Sequence, residues 1–173
     1  KTQNNIKLKP ELIRRLDPNV LTIDYCDLIL PGRMEKSLYF YEAQKRVFNF
    51  HGFDRNPWDS AVQFQDSLIV RNHFPPDSGF RAEFHFSVLP GVDLSSLKLV
   101  VERPLIFKVQ VNGQLLKSEE GSWWLDKSMA VFPLSQLARI GLNTVTLIVK
   151  PFDLLAELEP IYILGDFSLE EAT

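Results

Sequence analysis

The clearest structural signal in the chain is Phe80-Arg81-Ala82-Glu83-Phe84-His85-Phe86-Ser87-Val88. Apolar and polar side chains alternate strictly along this segment, and successive side chains of a β-strand point to opposite faces of its sheet. A helix would instead place its apolar residues three or four positions apart. The segment therefore predicts a strand with one face in an apolar core and the other in water.

Similar strand-like segments lie on both sides of this one. They are predicted at Val20 to Leu30, Val62 to Phe74, Leu97 to Glu102, Leu105 to Val111, Met129 to Phe132, Val145 to Val149 and Ile161 to Phe167. Turn signals separate them, and Asn112-Gly113 favours a tight hairpin because both residue types tolerate positive φ. Short strands between turns predict an all-β sandwich rather than a parallel sheet.

One segment breaks the β pattern. Met34 to Phe50 is predicted to hold a short helical insertion, because four apolar residues recur there at helical spacing and Gly52 lies just beyond the end. The four are Phe40, Ala43, Val47 and Phe50. The segment carries more aromatic rings than one buried stripe requires. We favour a helix packed across one end of the sandwich, and the alternative is a docking face for a neighbouring domain.

Size and charge limit the range of functions. At 173 residues the chain fits one domain. We expect residues 1–18, which are polar and charged, to form a linker or arm, and residues 19–173 to form a single β-sandwich domain with a helical segment near 34–50. The 22 acidic residues outnumber the 19 basic ones, which argues against a nucleic acid or a membrane as partner. No apolar run approaches the ~18 residues that a membrane helix needs.

Metal-binding and cofactor-binding signals are weak. The single cysteine, Cys26, excludes an intrachain disulfide, argues against a cysteine-built zinc site, and is predicted to be a small buried side chain within a strand. His51, His73 and His85 are not spaced as a metal cluster, and the dispersed glycines form no phosphate-binding loop. We therefore expect neither a metal nor a cofactor.

Four motifs follow one another in the second half of the chain. They are Val109-Gln110-Val111-Asn112-Gly113-Gln114, Gly121-Ser122-Trp123-Trp124-Leu125-Asp126, Pro133-Leu134-Ser135-Gln136-Leu137 and Gly141-Leu142-Asn143-Thr144-Val145-Thr146-Leu147. Together they resemble the galactose-binding-like jelly roll, the sugar-binding-type module that accompanies many glycoside hydrolases. Pro133 stands where those modules often have Asp. More loosely, Leu21 to Leu28, Asn56 to Phe64 and Asp77 to Phe86 resemble C-terminal portions of large bacterial hydrolase-like proteins.

The resemblance implies a jelly-roll β-sandwich that serves as a non-catalytic accessory domain of a carbohydrate-active enzyme. It would be a C-terminal module of a large bacterial glycoside-hydrolase-like protein, in the periplasm or outside the cell. Because the chain starts at Lys1 rather than Met, we expect a processed product or an excised piece. Its partners would be the catalytic and other domains of the parent protein, together with an oligo- or polysaccharide. Such modules frequently hold a structural calcium ion, but this chain has no clustered D-x-D loop, so none is expected.

The candidate carbohydrate-binding residues are Trp58, Asn112, Trp123, Trp124 and Asp126. Neighbouring side chains on a strand point opposite ways, so one indole of Trp123-Trp124 can enter the core while the other offers a flat apolar platform to a sugar. The alternative is that the second ring is covered by a loop or by the parent enzyme. Trp58 lies in a predicted loop, where it is either a second platform or, as we favour, a ring that anchors the loop.

Two other functions remain open. A purely structural interdomain module with no ligand would have both indoles of Trp123-Trp124 covered. A self-contained glycoside hydrolase would need a cleft with two converging carboxylates, one of them with a raised pKa. The sequence identifies no such pair, so no catalytic residue is predicted. The scattered acidic candidates are Asp24, Asp27, Asp126, Asp153, Glu157, Glu159 and Asp166.

Overall fold

The computed structural model describes residues 16–59, 65–116 and 121–170. The strands in these ranges are β1 (Asn19–Ile23), β2 (Tyr25–Leu30), β3 (Arg33–Tyr39), β4 (Phe80–Val88), β5 (Lys98–Glu102), β6 (Lys108–Val111), β7 (Gln114–Leu115), β8 (Trp123–Trp124), β9 (Asp126–Pro133), β10 (Gly141–Val149) and β11 (Ile161–Gly165). The α-helices are α1 (Phe40–Phe50) and α2 (Asp66–Ile69). No helix of this part of the chain is long and apolar enough to cross a membrane.

The strands form two antiparallel sheets that pack face to face as a β-sandwich. The five-stranded sheet has the order β1-β11-β5-β9-β8, and the six-stranded sheet has the order β3-β2-β4-β10-β6-β7. Buried apolar side chains from both sheets meet in one cluster between them. Removal of this apolar surface from water is the main force that holds the sheets together. Each sheet thus has an inner face in the core and an outer face turned away from it.

Strand β4 confirms the alternation read from the sequence. Its apolar residues from Phe80 to Val88 are buried, and the residues between them are exposed or half-buried. The strand lies inside the six-stranded sheet and pairs with β10 along its whole length. The predicted hairpin is also confirmed: Asn112 and Gly113 have φ of 50° and 82°, and they join β6 to β7. Cys26 is buried in β2, as predicted.

The prediction of one strand at Val20 to Leu30 is wrong. The segment forms two strands in different sheets: β1 pairs with β11 in the five-stranded sheet, and β2 pairs with β4 in the six-stranded sheet. The chain passes from one sheet to the other at Asp24, whose carbonyl oxygen accepts a hydrogen bond from the Phe40 amide at 2.7 Å. Periodicity did not reveal this break, because both halves are β and neither proline nor glycine marks the crossing.

The predicted helix begins later than expected. Residues 33–39 form β3, which returns on β2 through the Pro31-Gly32 turn, with Gly32 at a φ of 79°. Helix α1 then begins at Phe40 and ends at Phe50, and it buries Ala43, Val47 and Phe48. Tyr39 precedes it as the last residue of β3. A strand at the edge of a sheet has few buried residues, so β3 shows little of the alternation that would have identified it.

Two further strand predictions need correction. In the segment Val62 to Phe74, residues 62–64 lie outside the described residues, and Asp66–Ile69 form the short helix α2 instead of a strand. In the segment Leu105 to Val111, the first residues form a helical turn that starts at Pro104, and β6 begins at Lys108. Proline fits the first position of a helical turn because that position needs no amide donor. Leu105 is consequently 99% exposed.

Candidate functional site

The outer face of the five-stranded sheet carries a second, smaller apolar cluster. Val100, Val131 and Leu164 occupy the strand positions that point away from the core, yet they are at most 4% exposed. Three partly buried side chains pack against them: Trp124, Met129 and Tyr162. We call these six residues the outer cluster. Outer faces of antiparallel sheets are commonly solvated, so apolar burial here marks this face as unusual.

The two adjacent tryptophans sit at the edge of this cluster. They form β8, the last strand of the five-stranded sheet, and the register of pairing with β9 shifts between them. Trp124 packs against the other members of the outer cluster, and its ring centroid lies 5.4 Å from that of Tyr162. Trp123 remains 53% exposed. One indole is therefore covered, by the outer cluster rather than by the main core, and the other offers a ring to solvent.

A groove of about 370 Å³ lies beside Trp123. Its polar lining comes from Ser96, Lys98 and Ser122, and its apolar lining comes from Pro18, Trp123, Trp124, Val131 and Leu164. The Ser96 hydroxyl donates to the Asp93 carbonyl oxygen at 2.8 Å and accepts from the Asp166 amide at 3.2 Å, so its position is fixed. We call this depression the Trp123 groove. It combines a flat apolar ring with hydroxyl and ammonium groups.

Two of the predicted residues lie elsewhere and have structural contacts. Trp58 is 7% exposed, and its indole nitrogen donates to the Leu154 carbonyl oxygen at 2.7 Å, which matches the favoured interpretation of a loop anchor. The Asn112 side chain donates to Leu137 and Asn143 oxygens at 2.8 and 2.9 Å, and it accepts from the Thr144 amide at 3.0 Å. An amide with these three bonds is engaged in joining the β6–β7 hairpin to β10.

Asp126 lies next to the tryptophans but does not line the groove. It is paired with Trp124 at the start of β9, and its carboxylate accepts a hydrogen bond from the Ser128 amide at 2.7 Å. The hydrogen bonds from the backbone and side chain of Ser128 hold the pKa of this carboxyl below its usual value. The carboxylate therefore stays ionised and organises the turn into β9.

Of the five predicted residues, the structure brings Trp123 and Trp124 together in the groove. The sequence did not identify Ser96 or Lys98 as their neighbours, and it gave no binding role to Ser122, which precedes Trp123 in the chain. Lys98 and Val131 come from β5 and β9, two strands that are distant in the chain and pair only in the folded sheet. The available signal was Leu99-Val100-Val101, three consecutive apolar residues that indicate a strand buried on both faces at this point.

Two of the acidic candidates, Glu157 and Glu159, lie near each other and near Glu102, which was not a candidate. Glu157 accepts from the Arg103 guanidinium at 2.8 Å and from the Asn56 amide group at 2.9 Å. Burial, and then the charges of Glu102 and Glu157, raise the pKa of Glu159 to about 7. Burial and the charges of Glu159 and Glu102 also raise the pKa of Tyr162. We call Glu102, Glu157 and Glu159 the acidic group. It lies near the outer cluster, because the charges of Glu159 and Glu102 act on Tyr162, a member of that cluster.

Among residues 16–59, 65–116 and 121–170, no three His, Cys, Asp or Glu side chains are grouped so that they could hold a metal ion. No family model matches the chain, and neither does any curated protein. The function proposed below rests on the strand order, on the Trp123 groove and on the residues that line it.

Proposed function

We propose that the chain is a non-catalytic accessory module of a carbohydrate-active protein and that it contacts carbohydrate weakly through the Trp123 groove. The observation that carries this proposal is the half-exposed indole of Trp123 beside a groove with a polar rim. Pyranose rings have apolar C–H faces and hydroxyl edges, so an indole with nearby hydrogen-bonding groups is a complementary surface.

The proposal includes the galactose-binding-like jelly roll as the fold. Its support is the order of eight strands, counted along the chain as β1, β4, β5, β6, β7, β9, β10 and β11. In one sheet the first strand lies beside the eighth, then come the third and the sixth, and in the other sheet the order is second, seventh, fourth, fifth. Two nested Greek keys produce this arrangement in a jelly roll. Strands β2 and β3 and helix α1 are then an insertion after the first strand.

The parent protein and its location are part of the same proposal. An accessory module of this kind would lie beside the catalytic domain of a bacterial glycoside-hydrolase-like protein, in the periplasm or outside the cell. One exposed indole with a few hydrogen bonds would hold a sugar with a Kd on the order of 1 mM, because the ordering of both partners opposes association. Weak contact of this kind suits a module that assists a neighbouring catalytic domain.

A fluorescence titration tests the proposal. Oligosaccharides from plant and host glycan classes are added to the chain, to Trp123→Ala and to the matched control Tyr41→Ala, whose ring is 48% exposed on α1 outside the groove. We expect a saturable change with one glycan class that Trp123→Ala abolishes and Tyr41→Ala retains. No response to any glycan at ten times the expected Kd would contradict carbohydrate binding and favour the purely structural interdomain module.

A glycoside hydrolase is the second candidate function, and the observation that favours it is the acidic group around Glu159. A carboxyl with a pKa near 7 can be protonated at neutral pH, as a general acid must be, and Glu102 and Glu157 supply nearby carboxylates. Turnover of chromogenic aryl glycosides that disappears in Glu159→Gln and persists in Glu42→Gln, an exposed change on α1, would support this candidate. Absence of turnover by the unchanged chain would remove it.

A further inference from the structure

The charge of the Trp123 groove points to a narrower class of sugar. Among the described residues that line it, Lys98 is the one with a charged side chain, and no carboxylate lines it. Lys98 is exposed on β5, opposite Pro133 and Leu164 in the pairing of the sheet. No acidic side chain within the described residues forms an ion pair with its ammonium group. The groove therefore offers one positive charge beside an indole.

A second groove in the same molecule has the opposite character. It has a volume of about 360 Å³ and lies where β1 passes into β2, and its lining includes Asp24, Asp27 and His85 but neither lysine nor arginine. We call it the Asp27 groove. The Asp27 carboxylate accepts from the Ser37 amide at 2.8 Å and lies 3.3 Å from the His85 imidazole. An anionic ligand would meet two carboxylates there and an ammonium group at the Trp123 groove.

We propose that the carbohydrate taken by the Trp123 groove is an acidic one, a uronic-acid-containing oligosaccharide whose carboxylate pairs with Lys98 while a sugar ring stacks on Trp123. This inference rests on the proposed function, because it names the substrate class of the same site. A hydrogen bond between an ammonium and a carboxylate is stronger than one between neutral groups. The Ser122 hydroxyl lines the same groove, and the Ser96 hydroxyl, whose hydrogen is donated to Asp93, has one lone pair left to accept a hydrogen bond from a sugar hydroxyl.

The size of the effect follows from the exposure of Lys98. Exposed ion pairs contribute ~0.2–1 kcal/mol, so we expect a uronate to bind about 1.4- to five-fold more tightly than its neutral counterpart. The preference should weaken as salt is added, because ions screen exposed charges. Binding of the neutral sugar should change little with salt. A preference that depends on salt thus distinguishes charge recognition from ring stacking.

The test compares ligands that differ only in charge. Oligogalacturonate and its methyl ester have the same backbone and linkage, and glucuronate- and mannuronate-containing oligosaccharides are paired with their esters in the same way. Each pair is titrated by calorimetry and by tryptophan fluorescence. We expect one acid to bind more tightly than its ester in the unchanged chain. This preference should vanish in Lys98→Met and should be retained in Lys98→Arg, which keeps the positive charge. Lys108→Met, which removes an exposed lysine from β6 of the other sheet, should keep the preference.

The outcomes separate this inference from the proposed function. Saturable binding of neutral glycans that Trp123→Ala abolishes, with no acid bound more tightly than its ester, would overturn the acidic-sugar inference and leave the carbohydrate-binding function in place. A preference for the acid that survives in Lys98→Met would also overturn it, since another group would then recognise the charge. No binding of any acid, ester or neutral glycan would overturn both. Circular dichroism of each variant verifies that the sandwich is retained.

Discussion

The two grooves have nearly equal volumes, about 370 and 360 Å³, but they differ in the surfaces around them. The Trp123 groove borders the outer cluster of the five-stranded sheet, where Val100 is fully buried although it points away from the core. The Asp27 groove borders β4 of the six-stranded sheet, whose outer positions carry Arg81, Glu83 and His85. One outer face is largely covered by its own apolar side chains, and the other carries polar and charged side chains.

This difference shows that strand alternation does not by itself assign an outer face to solvent. In the five-stranded sheet the outer face of β5 has Val100 buried between Lys98 and Glu102, and Trp124, Met129 and Tyr162 pack against the buried part. In the six-stranded sheet the outer face is stabilised by exposed pairs such as Arg81–Glu83, with nitrogen and oxygen 3.1 Å apart. The first face should tolerate substitution as poorly as a core, and the second should tolerate it as a surface does.

The largest effect is expected from a matched pair of leucine truncations. Leu164→Ala should lower the free energy of unfolding by about 2–4 kcal/mol, because Leu164 is 4% exposed in the outer cluster and its loss leaves a cavity. Leu142→Ala, at a 57% exposed outer position of β10, should cost less than ~0.5 kcal/mol. Urea unfolding of the two variants measures both values. Equal costs would mean that the outer cluster is not packed as a core, and the contrast between the two faces would be lost.

The pH dependence of stability gives the next largest effect. The pKa of Glu159 is raised from 4.5 to about 7 in the folded chain, so between these values the folded state binds more protons than the unfolded state, and stability falls as pH rises. Glu159→Gln should remove this loss and stabilise the chain above pH 7 by about 1–2 kcal/mol, a value reduced from the full shift because the side chain is half-exposed. Below pH 4.5 the variant and the unchanged chain should be equally stable.

Thermal unfolding across this pH range measures that prediction. Glu42→Gln removes an exposed carboxylate from α1 and should leave the pH dependence unchanged. Glu102→Gln should reduce the dependence in part, because the charge of Glu102 is one cause of the raised pKa. If Glu159→Gln were no more stable than the unchanged chain above pH 7, the acidic group beside Tyr162 would be solvated, and the end of the outer cluster would resemble the other face.

The sequence predicted the sandwich most clearly at β4, a central strand of the six-stranded sheet with one buried face. Strand β4 shows clean alternation for this reason, and Asn112-Gly113 predicted its hairpin because a local turn needs only local residues. The division of the segment Val20 to Leu30 between two sheets depends on which strands pair, which no local pattern contains. The Trp123 groove has the same origin, since Lys98 reaches it only through the pairing of β5 with β9 and β11.

The smallest effect concerns the polar face. Arg81 and Glu83 form an exposed ion pair on β4, with side chains 49% and 23% accessible. A double-mutant cycle with Arg81→Met and Glu83→Gln should give a coupling energy of ~0.2–0.5 kcal/mol that disappears at high salt, because water and ions already screen the two charges. Denaturant unfolding of the four proteins at low and high salt provides the measurement. A coupling above ~1 kcal/mol that persists in salt would mean that this face is held together as tightly as the outer cluster, which would remove the distinction between the two sheets.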